Sequence, residues 1–404
     1  MITQTEIANK RLIENGTATM AEIIQEYIEY HDTSEMQKGV DYYDNENEIL
    51  NREIKYYKDG KLVVDDTAVN NKLNHHFHGL LVDQKANYLV GKPMTFSATN
   101  TSEEDEPATD EEEFVEFIND LLGDDFNDDI WELVKDSANK GVEWLHPYIK
   151  SGGAFEYVRI DARQFIPIWE TRMQKELAAG IRYYLLNVNG EDRIKAEYWT
   201  REKVSHYIEG DNGVLQLEKE ESHFDYNEEP RSWGKVPFIP FKNNEKMTSD
   251  LKKYKKLIDN YDLNTSDLAN NLEEIQEAIW ILQNYAGESL EEFQENLRKY
   301  KALKVDNDGG AKTETVNIPV EAKEKHLNRL EDDIFTFGQG VNPKTDKFGE
   351  NPSGVALKFL YALLDLKADK TERKFKRAIR EFLWYIAEYL KYAEKTEYDY
   401  KAVD

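Results

Sequence analysis

The sequence has no cysteine among its 404 residues. Disulfides, thiolate zinc sites and a cysteine nucleophile are therefore excluded, and a reducing compartment suits the chain. No apolar run approaches the roughly 18 residues that a membrane span needs. The opening stretch, MITQTEIANKRLIENGTATMAEII, lacks the apolar segment of a secretory signal. No G-x-x-x-x-G-K-[ST] loop is present, and Gly91-Lys92-Pro93 lacks the rest of one, so ATP hydrolysis is not expected. His75, His76 and His78 form the one histidine cluster, but no H-E-x-x-H pattern accompanies them. On a helix they would point in different directions. Asp306-Asn307-Asp308-Gly309 resembles part of a calcium loop, without the spacing to its glycine and final glutamate. No metal or cofactor is expected. Bases are also in deficit: Lys plus Arg number 52 against 80 Asp plus Glu, a net charge of −28. Static nucleic-acid binders present a basic patch to neutralise phosphates, so the overall charge argues against that class.

Aromatics make up 12 % of the chain and hydrophobic residues 40 %. That is enough apolar material for a core and too much aromatic for a disordered chain. The length allows roughly two to four domains. The acidity is uneven. From Glu103 to Asp129 there are 14 acids and no Lys or Arg, which accounts for half of the net charge.

Periodicity divides the chain. Residues 1–35 read as mixed helix, with Ile23, Ile24, Tyr27 and Ile28 at helical spacing. Ile49–Tyr57 reads as helical, followed by a turn at Asp59-Gly60. Residues 68–90 read as one amphipathic helix carrying Leu73, Phe77, Leu81 and Tyr88, ended by Gly91-Lys92-Pro93. Glu103–Asp110 reads as a loop. Phe114, Phe117, Ile118, Leu121 and Leu122 then mark an acidic-faced helix, and another follows at about 127–140. Residues 142–225 change to short aromatic and β-branched runs punctuated by Gly152-Gly153, Asn189-Gly190 and Asp211-Asn212-Gly213, an antiparallel sheet. Pro237–Phe241 is an extended link out of it.

From Thr248 the pattern becomes rod-like. Positions 251, 254, 258, 261, 265, 268, 272, 275 and 279 step by three and four, and only Thr265 is not apolar, over about four heptads without Pro or Gly. Such a helix would be roughly 45 Å long and needs partners along its length. Trp280-Ile281-Leu282 reads as a strand or as the helix end. Leu303–Val305 and Thr313–Ile318 read as a hairpin. Pro319 opens a second rod with Leu327, Leu330, Ile334 and Phe337. A polar loop, Val341–Ser353, leads to a third helix from about Gly354 to Lys391. The order is rod, small excursion, rod, loop, rod. Either it is a helical hairpin with a capping subdomain inside one monomer, or its apolar seams pack against copies of the same chain around a closed ring.

Several segments resemble the portal proteins of long-tailed phages of Gram-positive bacteria: NYLVGKP (87–93), PFKNN (240–244) with Ser249-Asp250-Leu251, Ile318–Val320, FGQG (337–340), and SGVALKF (353–359) with Asp365-Leu366-Lys367. The resemblance spans about 40–392 in unbroken order. It implies an α+β, ring-forming portal-type fold with long stem helices, a small α/β clip and a mixed α/β wing. The wing would be 1–247 and 354–392, the stem helices 248–279 and 320–340, the clip 280–319 and the tunnel loop 341–353. The tail, 393–404, would leave the family's helical crown absent or truncated.

The resemblance further implies a ring of about twelve subunits at one capsid vertex, a virion component assembled in the host cytoplasm. Double-stranded DNA would pass through its axial channel. Terminase, a head–tail adaptor, and capsid and scaffold proteins would be its partners, with no membrane and no catalysis. Asn342, Lys344, Lys347, Phe348 and Asn351 would form the loop nearest DNA. Leu251, Tyr254, Ile258, Tyr261, Leu268, Leu272, Leu327, Leu330, Ile334 and Phe337 would form the stem interface. Trp280, Leu282, Leu303, Val305 and Val316 would build the clip. An acidic channel wall would keep the duplex sliding rather than bound. Lys252, Lys253, Lys255 and Lys256 read as a solvated face or an intersubunit ion-pair set rather than a DNA site. Two other classes compete: a different helical connector or scaffold, and a metal-dependent nuclease built on Asp124, Asp125, Asp128 and Asp129.

Overall fold

The computed structural model describes residues 16, 18–99, 108–123, 125–170, 175–274, 279–283, 289, 310–314, 320–344 and 354–403. They fall into two compact units. The first comprises residues up to 45, 76–254 and from 335 onward, and the second 46–75 and 255–334. The expected wing boundary at 247 lies close to the division at 254, but residues 46–75 group with the second unit.

The first unit begins with α1 (Met20–Glu29) and α2 (Ser34–Tyr43). Thr19 and Glu22 cap α1 reciprocally: the Glu22 N–H donates to Thr19 Oγ1 and the Thr19 N–H to Glu22 Oε2. This satisfies two of the amides that a helix start leaves without partners. Helix α3 is Phe77–Val90, α4 is Asp110–Leu122 and α5 is Asp125–Lys140. Thr109 and Glu112 form the same reciprocal cap on α4, whose first turn carries four acids that suit the positive end of the helix dipole.

Strands β3 (Val142–Ile149), β4 (Phe155–Ile160) and β12 (Ile239–Lys242) form a three-stranded sheet in the order β12-β3-β4. Strands β5 (Phe165–Trp169), β6 (Leu177–Val188), β7 (Glu191–Trp199), β8 (Lys203–Glu209) and β9 (Leu215–Ser222) form an antiparallel meander. The antiparallel expectation for 142–225 holds, distributed over these two sheets and a short hairpin of β10 (Phe224–Tyr226) with β11 (Glu229–Arg231). Ile24 of α1 packs on the meander with Ile166, Ile181 and Tyr207. The main core joins Phe114, Ile118 and Leu122 of α4, Phe126 and Ile130 of α5, and Phe241 to the final helix, α8 (Gly354–Ala393), through Phe375, Phe382 and Ile386. Each such side chain contributes about 2 kcal/mol by leaving water. The tail is less polar in place than in sequence. Tyr398 and Val403 are buried, Phe114 stacks on Tyr398, and the Thr99 N–H bonds to the Ala402 carbonyl.

The second unit holds β1 (Lys55–Lys58) and β2 (Lys61–Val64), α6 (Lys255–Glu274), β13 (Ile279–Gln283) paired with β14 (Gly310–Glu314), and residues 320–334 of α7 (Val320–Gly338). Three expectations are corrected. Ile49–Tyr57 is not helical: a short 3-10 turn at Glu48–Asn51 precedes a hairpin. Asp59 and Gly60 both have positive φ (51° and 76°), the backbone of a two-residue hairpin turn. The helix expected from residue 68 begins at Phe77. Residues 71 and 73 instead give their amides to side chains, Asn71 to Asn270 Oδ1 and Leu73 to Ser266 Oγ. The first rod is not continuous over 248–279. Leu251–Lys253 is a 3-10 turn, Tyr254 lies outside helical geometry, and 279–283 is a strand. Strand β14 pairs with β13; the expected hairpin partner, residues 303–305, and Val316 lie outside the described residues.

Candidate functional site

Helix α7 ends at Gly338, immediately before the loop expected to line a channel. The chain turns there through Gln339, whose φ of 55° is left-handed. The two flanking glycines are required by contact rather than by φ. A Cβ on Gly338 would lie 2.6 Å from Leu81 Cδ1, and one on Gly340 would lie 2.2 Å from Leu81 Cδ2. Gln84, one turn further along α3, then holds the next residue on both sides. Its Nε2 donates to the Val341 carbonyl at 2.8 Å, and the Val341 N–H donates to its Oε1 at 2.9 Å. Lys367 of α8 donates to the Gly338 carbonyl at 2.9 Å, capping the helix end.

Lys367 is also one corner of a buried charge cluster. Its Nζ lies 3.4 Å from Asp250 Oδ2, and Lys85 Nζ lies 3.1 Å from the same oxygen. Lys253 reaches Asp250 Oδ1 at 2.9 Å. Asn243 accepts from Lys85 and donates to Asp250 Oδ1 at 3.2 Å and to the Thr248 carbonyl at 3.0 Å. Lys85, Asp250 and Lys367 are almost wholly buried. Burial would raise the Asp250 carboxyl, but Lys367, Lys85 and Lys253 outweigh it and hold the group well below the ordinary carboxylate range. Burial depresses Lys85 and brings Lys367 down to about 8, with Asp250 opposing the shift in both. Beside them, His78 Nδ1 sits 2.8 Å from the Tyr254 hydroxyl, and burial holds that imidazole down at about 3. Asn243, Asp250, Gly338 and Lys367 come from the segments FKNN, SDL, FGQG and DLK, which are scattered along the sequence and meet here with Lys85 of α3. A single buried lysine reads in sequence as a surface residue, so no local signal marks this junction.

The expected site residues are placed unevenly. Asn342 and Lys344 form a small turn, with the Lys344 N–H donating to Asn342 Oδ1 at 2.9 Å. Lys347, Phe348 and Asn351 lie outside the described residues. Of the ten expected stem-interface residues, Leu251, Tyr254, Ile258, Leu330 and Ile334 are buried within the chain itself. Tyr261, Leu268 and Leu327 are half-buried, while Leu272 and Phe337 are 53 % and 55 % exposed. Trp280 and Leu282 stand on β13, and Leu303 lies outside the described residues.

The histidines do not converge. His75 bonds to Asp262 and His76 to the Tyr43 carbonyl. Among the described residues, no group of three metal-ligating side chains is brought together. Asp129 is paired with Arg159, Asp125 and Asp128 sit in the first turn of α5, and Asp124 lies outside the described residues. Two of the four clustered lysines make ion pairs within the chain, Lys253 with Asp250 and Lys255 with Glu48 and Asp259. No described helix is long and apolar enough to cross a membrane.

Comparison with known proteins gives a concordant set. The family described as "Phage portal protein, SPP1 Gp6-like" matches residues 24–404. The portal protein of Bacillus phage SPP1 is 39 % identical over 411 residues, covering 98 % of this chain and 79 % of that protein. The portal protein of Clostridium phage phiCD119 is 34 % identical over 368 residues, covering 86 % of this chain and 78 % of that protein.

Proposed function

The chain belongs to the SPP1 Gp6-like family of phage portal proteins, and we propose that about twelve copies close into a ring at one capsid vertex. In this reading the ring is a conduit for double-stranded DNA during packaging and ejection. It performs no catalysis: a terminase docked on the clip supplies the motor, and a head–tail adaptor replaces it afterwards. Capsid and scaffold proteins surround the wing, and assembly takes place in the host cytoplasm.

The observation that supports this reading most is the convergence at the root of residues 341–353. A loop that touches moving DNA must be held firmly at its base. Gln84, Lys367 and the Gly338–Leu81 contact provide such a base. The loop's bases, Lys344 and Lys347, are nearly cancelled by Asp346 and Glu350, which suits weak, sliding contact with phosphates. The net charge of −28 would keep the duplex off the channel wall. Leu272 and Phe337, the most exposed of the expected seam residues in the single chain, would meet a neighbouring subunit.

Deleting residues 342–351 tests the loop's role. The reading expects the protein to assemble as before and packaged DNA per capsid to fall. Normal packaging by the deletion variant would remove the loop from the mechanism.

A further inference from the structure

Among the described residues, the strongly acidic chain contains a concave surface of the opposite sign. It lies in the first unit, where α8 faces the edge of the β5–β9 meander and the link before β12. Lys175, Arg201, Lys235, Arg377, Arg380 and Lys401 line it, against only Glu176 and Glu381. Over the whole chain acids outnumber bases by 80 to 52, so the lining reverses the average. Burial raises the Glu381 carboxyl above the ordinary range, against the pull of Lys235 and Arg377. Trp169 and Trp384 give the cleft apolar walls.

We propose that this cleft is a docking site for an acidic peptide segment of another protein. A guanidinium fork such as that of Arg377 takes carboxylates in bidentate geometry, whereas Arg201 already pairs with Glu170 at 2.8 Å, and the tryptophans accommodate apolar side chains. The lining fits a peptide better than a nucleic acid. Lys235 Nζ covers the Trp384 ring at 3.6 Å and Lys242 Nζ covers that of Trp169 at 4.4 Å. One face of each indole is therefore already occupied, whereas single-strand binding uses open aromatic platforms for stacking. Glu176 and Glu381 would also oppose a continuous row of phosphates, while a peptide can place its charges between them. The chain's own acidic helix cannot fill the cleft, because Phe114, Ile118 and Leu122 fasten α4 into the core.

The test uses the full chain and a fluorescein-labelled ten-residue peptide of alternating Glu and Asp with a central Phe, read by fluorescence anisotropy at low salt. The parent should bind it, and Arg377→Glu with Lys401→Glu should weaken binding at least tenfold. Lys376→Glu, an exposed position on the same helix paired with Glu372, should leave it unchanged. A second reading needs no variant: bound peptide should protect tryptophan fluorescence from iodide quenching. Failure of the parent to bind, or equal binding by all three proteins, overturns the proposal. So does a short DNA duplex whose binding, unlike the peptide's, depends on Arg377 and Lys401. None of these readings depends on ring assembly, so their failure would leave the portal reading standing.

Discussion

Gln84 and Val341 are 257 residues apart in the chain and joined by two hydrogen bonds, one in each direction. A side-chain amide that binds a backbone N–H and C=O together fixes both position and orientation, as a strand partner would. Gln84→Ala should release the residue on which the following loop pivots. Two hydrogen bonds of ordinary net worth suggest a loss of about 1–3 kcal/mol. The Val341 amide should exchange markedly faster with solvent, while amides in the α8 core stay protected. Unchanged exchange at Val341 would show that the clamp is not what holds this point.

Asp250 should be the most sensitive member of the buried junction. Its removal leaves Lys85 and Lys367 buried without their counter-charge, a change that typically costs about 3–5 kcal/mol. Asp250→Asn should therefore destabilise the protein far more than Lys253→Met, since the Lys253 side chain is 44 % exposed and has water as an alternative. Urea denaturation of the two variants gives the comparison. Equal losses would mean that the buried lysines find another partner.

Stability should fall as the solution is acidified below pH 6.5. Burial holds His78 at about 3 and His146 and His223 at about 4, so these three stay neutral in the folded chain while an unfolded chain takes up protons. Their contribution is present above the unfolded histidine range and is lost as the pH falls toward 4. Burial holds Glu143 up at about 8, so unfolding releases a proton there and offsets one of the three. The net uptake of two protons corresponds to a slope of about 3 kcal/mol per pH unit near pH 5. Denaturation midpoints between pH 4.5 and 7 measure it, and a flat profile would contradict the buried neutral histidines.

The exposed seam residues make a separable prediction. Leu272→Asp and Phe337→Asp should leave the fold of the single chain intact and reduce assembly. Ile258→Asp should unfold it, because that side chain is fully buried within the chain. Light scattering combined with circular dichroism distinguishes the two effects. Full assembly by the Leu272 and Phe337 variants would move the interface elsewhere.

What the sequence made legible follows from where each element gets its order. Helix α8 was readable because its apolar positions repeat without Pro or Gly from Val355 to Ala393. The meander was readable from aromatic and β-branched runs between glycine turns. The start of α3 was not, because residues 71 and 73 are satisfied by Asn270 and Ser266, partners remote in sequence. The first rod was overextended because a three-four apolar repeat does not distinguish a helix from the 3-10 turn that places Leu251 and Tyr254 in the core. The motif segments carried the family resemblance together, none of them decisive alone. Their meeting at Asp250 depends on tertiary distance, which no spacing rule encodes.

Negative-stain electron microscopy of the purified protein, with mass determination on the same sample, tests the central claim most directly. The account predicts rings with a central hole and a mass near 570 kDa, about twelve times the 47.3 kDa chain. A stable dimer or an open filament, with no closed ring at any concentration, would contradict it.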